Sequence, residues 1–308
     1  MHAECTPSIT MVEVKSLSEL FRGALKRHQE LHGEFSLLKN QKNPFKRADI
    51  ERLLNLSDGQ KIGSKTWDHH KTWCRSFRAY VATSAQTGFR KSETVRCHPE
   101  GHPLRRSHVT WVIGGREHAN PSVAELLSMT VHDYVRIRPP PSKADPFAIV
   151  WGTRPIYGAF HPTAKINMAR ELRNLYAHAP VTDEELDKTP LFIHDDGSPF
   201  TGNFIDNFLK KSLGTFMTTE ETKKLSPHSF RIFLACALRA ANASDSVIQA
   251  LCRWQSIESL HTYALMDKDG YMEYINRAME ADSMAIRVDS LPMLDLVDVG
   301  PAEDAIED

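Results

Sequence analysis

Residues 225–241 read LSPHSFRIFLACALRAA and combine a helix start with a long apolar run. Ser226 can cap a helix, and Pro227 suits its first turn. His228 and Arg231 are three positions apart, which places them on one face of that turn. A helix N-terminus carries a partial positive charge and available N–H groups, so this face suits an anion such as phosphate. The alternative is a solvated histidine and a surface arginine.

The chain around this helix has the composition of an ordinary globular protein. Its 308 residues are 41% hydrophobic and 25% charged, and no apolar run approaches the ~20 residues of a membrane span. The first residues lack the basic-then-apolar pattern of a secretory signal. The five cysteines are widely spaced and form no C-x-x-C pair, which indicates free thiols. We expect a location in the nucleus of a eukaryote or in the cytoplasm or nucleoid of a prokaryote, without secretion.

Charge is spread unevenly along a chain whose net charge is only −1. Residues 61–116 contain eleven Lys or Arg and three acids, whereas residues 267–308 contain twelve acids and three bases. A basic body with an acidic tail is typical of a surface that binds a polyanion. The basic residues that we expect to contact such a polyanion are Arg78, Lys91, Arg105 and Arg106.

The hydrophobic pattern divides the chain into three regions. Residues 1–43 contain one amphipathic helical stretch and form a helical N-terminal segment. Residues 44–283 mix helical patterns with β-rich stretches at 107–113 and 133–139, which predicts a mainly α-helical α+β fold with a small antiparallel sheet. Residues 284–308 are acidic and aperiodic and are predicted to form a flexible tail.

A proline-rich turn interrupts the β-rich part of the chain. Residues 139–146 read PPPSKADP, and strand character resumes in residues 147–160. This composition predicts a turn between two strands of a hairpin. Lys143 lies at its tip and is the only lysine between the two predicted strands.

Three further motifs stand in a fixed order around the helix at 225–241. The stretch SAQTGFRKSE holds Arg90, and Glu93 follows one turn later. Trp254 lies 23 positions after Arg231, and Tyr263 lies nine positions after Trp254. The set resembles the catalytic domain of the tyrosine recombinases, the phage-integrase family. That family has T-G-(L/F)-R-x-x-E, a hairpin Lys, H-x-x-R, L-G-H or L-G-W, and a Tyr nine residues later.

The resemblance covers about residues 44–283 and implies the recombinase catalytic fold. It implies that Tyr263 attacks a DNA phosphodiester and forms a 3′-phosphotyrosyl bond. It also implies that Arg90 and Arg231 hold the two non-bridging oxygens, on which charge develops. A guanidinium suits this role because its planar fork of donors can bind two oxygens at once.

The resemblance assigns the proton transfers to two further residues. Free tyrosine has a pKa of ~10, so a group must take its proton at neutral pH, and His228 matches the family position that does so. Lys143 matches the general acid that protonates the leaving 5′ oxygen. Trp254 stands where the family has His or Trp; it either donates to a phosphate oxygen or packs as a buried core residue.

Two positions carry open alternatives. Glu93 either orients the guanidinium of Arg90 or is a surface residue. Cys252 and Arg253 replace the usual Leu-Gly of the family pattern, and a bulky arginine is unexpected in a tight turn. This departure leaves open whether the local geometry of the recombinases is kept.

The implied reaction needs no cofactor, because the phosphotyrosyl bond conserves the energy of the phosphodiester. The expected partner is double-stranded DNA, with a monomer in free solution and a homotetramer on DNA. The helical stretch at residues 269–280 either docks on a neighbouring protomer or folds back on its own domain. We expect no zinc site, since no paired ligand motif joins the candidates His69, His70, Cys74, Cys97, His98 and His102.

Two other functions remain open at this point. The chain could be a DNA-binding relic or regulator that keeps the recombinase fold without turnover, an alternative that the short segment before residue 44 favours. A type IB topoisomerase shares the tyrosine chemistry. His228 in the H-x-x-R motif favours a recombinase, because those topoisomerases usually have Lys there.

Overall fold

A computed structural model describes residues 42–99, 101–141, 145, 147–148, 152–254, 266–284, 286 and 291. The chain divides into two units, Met1–Lys42 and Asn43–Asp308. Several predictions concern positions outside the described residues, namely the N-terminal helix, Lys143, Tyr263 and most of the acidic tail. In the described part, no helix has the length and apolarity that a bilayer span requires.

Helices predominate in the described residues, and a small group of strands lies in the middle of the chain. The first half contains α1 (Arg47–Leu54), β1 (Lys61–Ile62), β2 (Lys65–Thr66), α2 (Thr72–Thr87), α3 (Lys91–Thr94), β3 (Val109–Ile113), β4 (Arg116–His118), α4 (Val123–Leu127), β5 (Tyr134–Ile137) and β6 (Ile156–Ala159). The second half contains α5 (Met168–His178), α6 (Gly202–Leu213), α7 (Thr219–Lys223), α8 (His228–Ala240), α9 (Asp245–Leu251) and α10 (Lys268–Glu280). This composition confirms the predicted α+β class.

The central sheet has four antiparallel strands in the order β4-β3-β5-β6. Trp111 of β3 pairs with Val135 of β5, which pairs with Gly158 of β6. The small antiparallel sheet is therefore present, as the β-rich stretches predict. Its last strand is shorter than expected, because residues 152–154 form a turn and Phe147 is exposed.

The core surrounds α2, which is buried on nearly all sides. Helices α1, α5 and α8 pack against it. An aromatic cluster lies beside its first half. The ring centroids of Phe77 and Phe208 are 4.8 Å apart, and those of Trp67 and Trp73 are 5.6 Å apart. Burial of each such side chain stabilises the fold by about 1.5–3 kcal/mol. The packing therefore holds α2, and the turn at its C-terminal end, in a defined position.

Helix α10 packs on its own chain, against α8 and β6. Tyr271, Ile275 and Met279 form its buried face. Arg277 donates to the carbonyl of Ala241 at 2.7 Å, just after α8. This packing is compatible with the alternative in which the segment folds back on its own domain.

Candidate active site

Helix α8 places His228 and Arg231 in different surroundings. His228 is the first residue of the helix and is exposed, whereas Arg231 is buried, with 1% of its surface accessible. The predicted cap differs as well: the Oγ of Ser229 accepts from the Ser226 N–H at 3.1 Å, and Pro227 already has helical dihedrals. The two residues of the motif therefore do not present one common exposed face.

The guanidinium of Arg231 joins three motifs that are far apart in the sequence. Its Nη1 donates to the carbonyl of Gly88 at 2.9 Å, across 143 positions of the chain. Its Nη2 donates to the carbonyl of Arg253 at 3.5 Å. The T-G-F-R, H-x-x-R and C-R-W segments thus meet at one place.

The T-G-F-R segment forms the turn that ends α2. The Oγ of Thr87 donates to the carbonyl of Thr83 at 2.7 Å and accepts from the N–H of Phe89 at 3.2 Å. Gly88 has φ +57°, a left-handed conformation in which glycine carries no steric penalty. A Cβ at this position would also lie 3.1 Å from Cδ2 of Leu234 in α8. Glycine therefore permits the close approach of α2 and α8.

Glu93 is a core residue, and its surface alternative is wrong. It is fully buried. Its Oε2 accepts from the backbone N–H of Arg90 at 2.7 Å, and its Oε1 lies 3.7 Å from Nη1 of Arg90. Both the backbone and the side chain of Arg90 are thus adjacent to this carboxylate.

Arg253 pairs with Glu93 across 160 positions of the chain. Its Nη1 donates to Oε1 at 3.2 Å and its Nη2 donates to Oε2 at 2.9 Å. The guanidinium lies over the ring of Phe89, 4.4 Å from its centroid. Charged pairs of this two-pronged type are stronger than neutral hydrogen bonds. Sequence reasoning noted Arg253 only as a departure from the family pattern and missed this role.

The backbone of Arg253 has a left-handed conformation, which glycine adopts without a steric penalty. Its φ is +55°. Its N–H donates to the carbonyl of Ala250 at 3.1 Å, and the N–H of Trp254 donates to the carbonyl of Gln249 at 2.8 Å. These two bonds form a Schellman motif at the end of α9. The turn therefore forms although its left-handed position carries an arginine.

Neighbouring arginines keep Glu93 ionised, whereas burial keeps Cys252 neutral. Burial alone would raise the pKa of the Glu93 carboxyl, but Arg253, and then Arg90 and Arg231, hold that pKa below its usual value. Burial raises the pKa of the Cys252 thiol to about 12. Trp254 is 4% exposed, which agrees with the packing alternative for this residue.

Arg78 and Lys91, two of the residues expected to contact DNA, pair with acids of their own chain. Arg78 binds the buried carboxylate of Glu171 with bonds of 2.9 and 3.2 Å. Nζ of Lys91 lies 2.7 Å from a carboxylate oxygen of Asp206. Each of these contacts reduces the charge that the side chain offers to DNA.

Arg105 and Arg106 differ sharply although they are adjacent. Arg105 is half-buried, and its Nη1 donates to the carbonyl of Asp187 at 2.8 Å near the surface. The prediction that Arg106 contacts DNA is wrong, because its side chain is fully buried. Its guanidinium lies 3.9 Å from the ring centroid of Tyr176 and donates to the carbonyl of Ala179 at 3.2 Å. In this arrangement the guanidinium of Arg106 is enclosed by its own chain and presents no surface to a phosphate backbone.

Among the described residues, one group has ligand atoms close enough to hold a metal ion. Asp58, Asp68 and His69 offer ligand atoms within 4.8 Å of one another. Cys74, a candidate of the zinc alternative, instead accepts from the N–H of Asp68. Cys74, Cys97, Cys236 and Cys252 are all free thiols.

Comparison with models of known protein families, with curated proteins and with solved structures gives no match. The functional interpretation therefore depends on the residues of this chain and on the contacts between them.

Proposed function

We propose that this chain is a tyrosine-type DNA strand transferase that acts in site-specific recombination or integration. The main support is the convergence of the three motif segments. Arg231 binds the carbonyls of Gly88 and Arg253, and Arg253 binds Glu93, the acid of the T-G-F-R-x-x-E motif. Segments that are 143 and 160 positions apart in sequence thus form one arginine-rich site.

The proposed reaction is a transesterification at a DNA phosphate. The oxygen of Tyr263 attacks the phosphorus, its proton passes to His228, and the bond to the 5′ oxygen breaks. Lys143 donates a proton to that leaving oxygen. Arg90 and Arg231 stabilise the charge on the non-bridging oxygens, and loss of one such donor typically costs about 3–4 kcal/mol of transition-state stabilisation. A 5′-hydroxyl reverses these steps and joins new strands.

Burial of Arg231 sets an order for contact with DNA. At 1% exposure, its guanidinium meets a phosphate only after neighbouring groups move aside. His228 is exposed and Arg90 is half-buried, so these side chains meet DNA first. We therefore propose that duplex DNA opens the site as it binds.

The proposal includes double-stranded DNA as the partner, a homotetramer on DNA and no cofactor. The general acid Lys143 and the two arginines do the work that a metal ion does in other phosphoryl-transfer enzymes.

A catalytically inactive DNA-binding protein is the second candidate function. The observation that favours it is the engagement of Arg231 and Arg253 in contacts within the protein. Both side chains are at least 95% buried, which suits a structural role as well as a catalytic one.

Covalent trapping on a nicked suicide substrate tests the proposal. The wild-type chain should form a protein–DNA adduct that survives denaturation and excess chelator. Tyr263→Phe should bind the same DNA with similar affinity and form no adduct, because it lacks the nucleophilic oxygen. DNA binding without any wild-type adduct would refute the proposal and support the inactive alternative.

A further inference from the structure

Glu93 lies among three arginines, one of which binds it more closely than the others. Arg253 donates to both carboxylate oxygens, at 3.2 and 2.9 Å. Nη1 of Arg90 is 3.7 Å from Oε1, outside hydrogen-bond distance. Arg231 lies near enough for its charge to lower the pKa of Glu93, while its Nη atoms donate to the carbonyls of Gly88 and Arg253.

A buried carboxylate without a cationic partner destabilises the folded state, because an unpaired charge in a poorly solvated site has a large desolvation penalty. Without Arg253, the cations whose charges still lower the pKa of Glu93 are Arg90, which already lies 3.7 Å from Oε1, and Arg231. Each of these arginines would then be drawn to Glu93 and would meet a substrate phosphate with part of its positive charge neutralised. The carboxylate would also repel the phosphate itself.

We propose that Arg253 is a positioning residue that neutralises Glu93 and thereby keeps Arg90 and Arg231 for the substrate phosphate. The inference rests on the proposed function, since it assigns these two arginines to a phosphate. Its basis is the two-pronged pairing of Arg253 with Glu93 at a position where the turn itself favours glycine.

The backbone of Arg253 has a second effect on the same arginine pair. Its carbonyl accepts from Nη2 of Arg231 at 3.5 Å. This contact depends on the left-handed turn and not on the Arg253 side chain, so a glycine would preserve it. Replacement by glycine therefore removes the side chain and leaves the carbonyl in place for Arg231.

The experiment compares four proteins: wild type, Arg253→Gly, Glu93→Gln, and the double variant. On the nicked substrate, we expect Arg253→Gly to form adduct about 10²-fold more slowly than wild type, as after loss of one phosphate-binding donor. The double variant should recover to within about tenfold of wild type, because the competing carboxylate is gone. A double variant as slow as Arg253→Gly would overturn the inference.

A second readout does not depend on strand cleavage. Inorganic phosphate should raise the Tm of wild type and of the double variant through binding to the folded state, and should raise that of Arg253→Gly much less. Equal shifts in wild type and Arg253→Gly, or no shift in either, would overturn the inference even if no protein forms an adduct. A wild-type chain with the phosphate shift but no adduct would refute the proposed function alone.

Asn242→Gly is the matched control, because Asn242 has the same left-handed conformation, with φ +62°, at an exposed helix end. It should leave the phosphate shift and the adduct rate unchanged. If Arg253→Gly does not fold, Arg253→Lys replaces it in both measurements. Lys keeps the charge but cannot form the two-pronged pair. We therefore expect Arg253→Lys to reduce the adduct rate and the phosphate-induced Tm shift in the same direction as Arg253→Gly, by a smaller amount.

Discussion

The ends of α8 and α9 have the same backbone geometry but very different side chains. Asn242 ends α8 with φ +62°, and Arg253 ends α9 with φ +55°. In both turns the next residue donates its N–H to the carbonyl five positions earlier, at 2.9 and 2.8 Å. Asn242 is exposed, whereas Arg253 is buried against Glu93 and Phe89.

The difference shows two causes of a left-handed helix end: the conformational preference of the residue itself, and the pairing of its side chain with a distant segment. Asparagine tolerates the left-handed region, whereas other residues with a Cβ lose roughly 1–2 kcal/mol there. At Asn242 the local sequence alone explains the turn. At Arg253 the unfavourable backbone persists because the side chain is held by a buried acid from a distant segment.

The largest expected effect is that of Glu93→Ala, which leaves Arg253 buried without its carboxylate. Loss of one partner of a buried ion pair lowers the free energy of unfolding by about 3–5 kcal/mol. Urea unfolding followed by circular dichroism measures this change. Glu125→Ala is the control: Glu125 belongs to an exposed capping box at α4, so its loss should lower the free energy of unfolding much less than the loss of Glu93. Similar decreases in the free energy of unfolding of the two variants would show that the buried ion pair stabilises the fold no more than an exposed cap does.

Arg253→Gly should lower the free energy of unfolding by less than Glu93→Ala, about 2–4 kcal/mol, because relief of the left-handed backbone offsets part of the lost pairing. Asn242→Gly should change it by at most a few tenths of a kcal/mol, about the difference between two residues that both tolerate this turn. Parallel unfolding curves for the two variants give the comparison directly. If Arg253→Gly is as stable as wild type, the pairing does not hold the turn.

The smallest effect is a dependence on pH. Because Arg253 and its neighbours hold the pKa of Glu93 below its usual value despite burial, the folded carboxyl stays charged to lower pH than the unfolded one. Its contribution is fully present above the unfolded pKa of about 4.3 and is lost as pH falls toward the folded pKa. The stabilities of wild type and Glu93→Gln should therefore converge below about pH 4, by up to about 1.4 kcal/mol per pH unit. A gap that stays constant from neutral to acidic pH would contradict this sign.

The sequence predicts the elements that local patterns determine. The apolar run after Pro227 forms α8, and the β-rich stretches at 107–113 and 133–139 form paired strands. The sequence motifs predict no conformation for the T-G-F-R segment. In the structure Gly88 has the left-handed conformation, and Phe89 and Arg90 follow it.

What the sequence does not predict depends on contacts between distant segments. Arg105 and Arg106 are adjacent and chemically alike, yet only Arg106 lies in the core, where Tyr176 and the carbonyl of Ala179 surround its guanidinium. The pairing of Arg253 with Glu93 spans 160 positions, and no local pattern carries it. An arginine at a glycine position, together with an acid in a distant motif, is the signal that could have indicated the pair.

The most direct test of the proposed chemistry is to identify the residue that carries the DNA. The wild-type adduct from the nicked substrate is digested with protease and nuclease, and the modified peptide is sequenced by mass spectrometry. The account predicts a single modified peptide with a nucleotide on Tyr263, linked through a 3′ phosphate. A nucleotide on another residue, such as Tyr271 or Tyr274, or no covalent product at all, would contradict it.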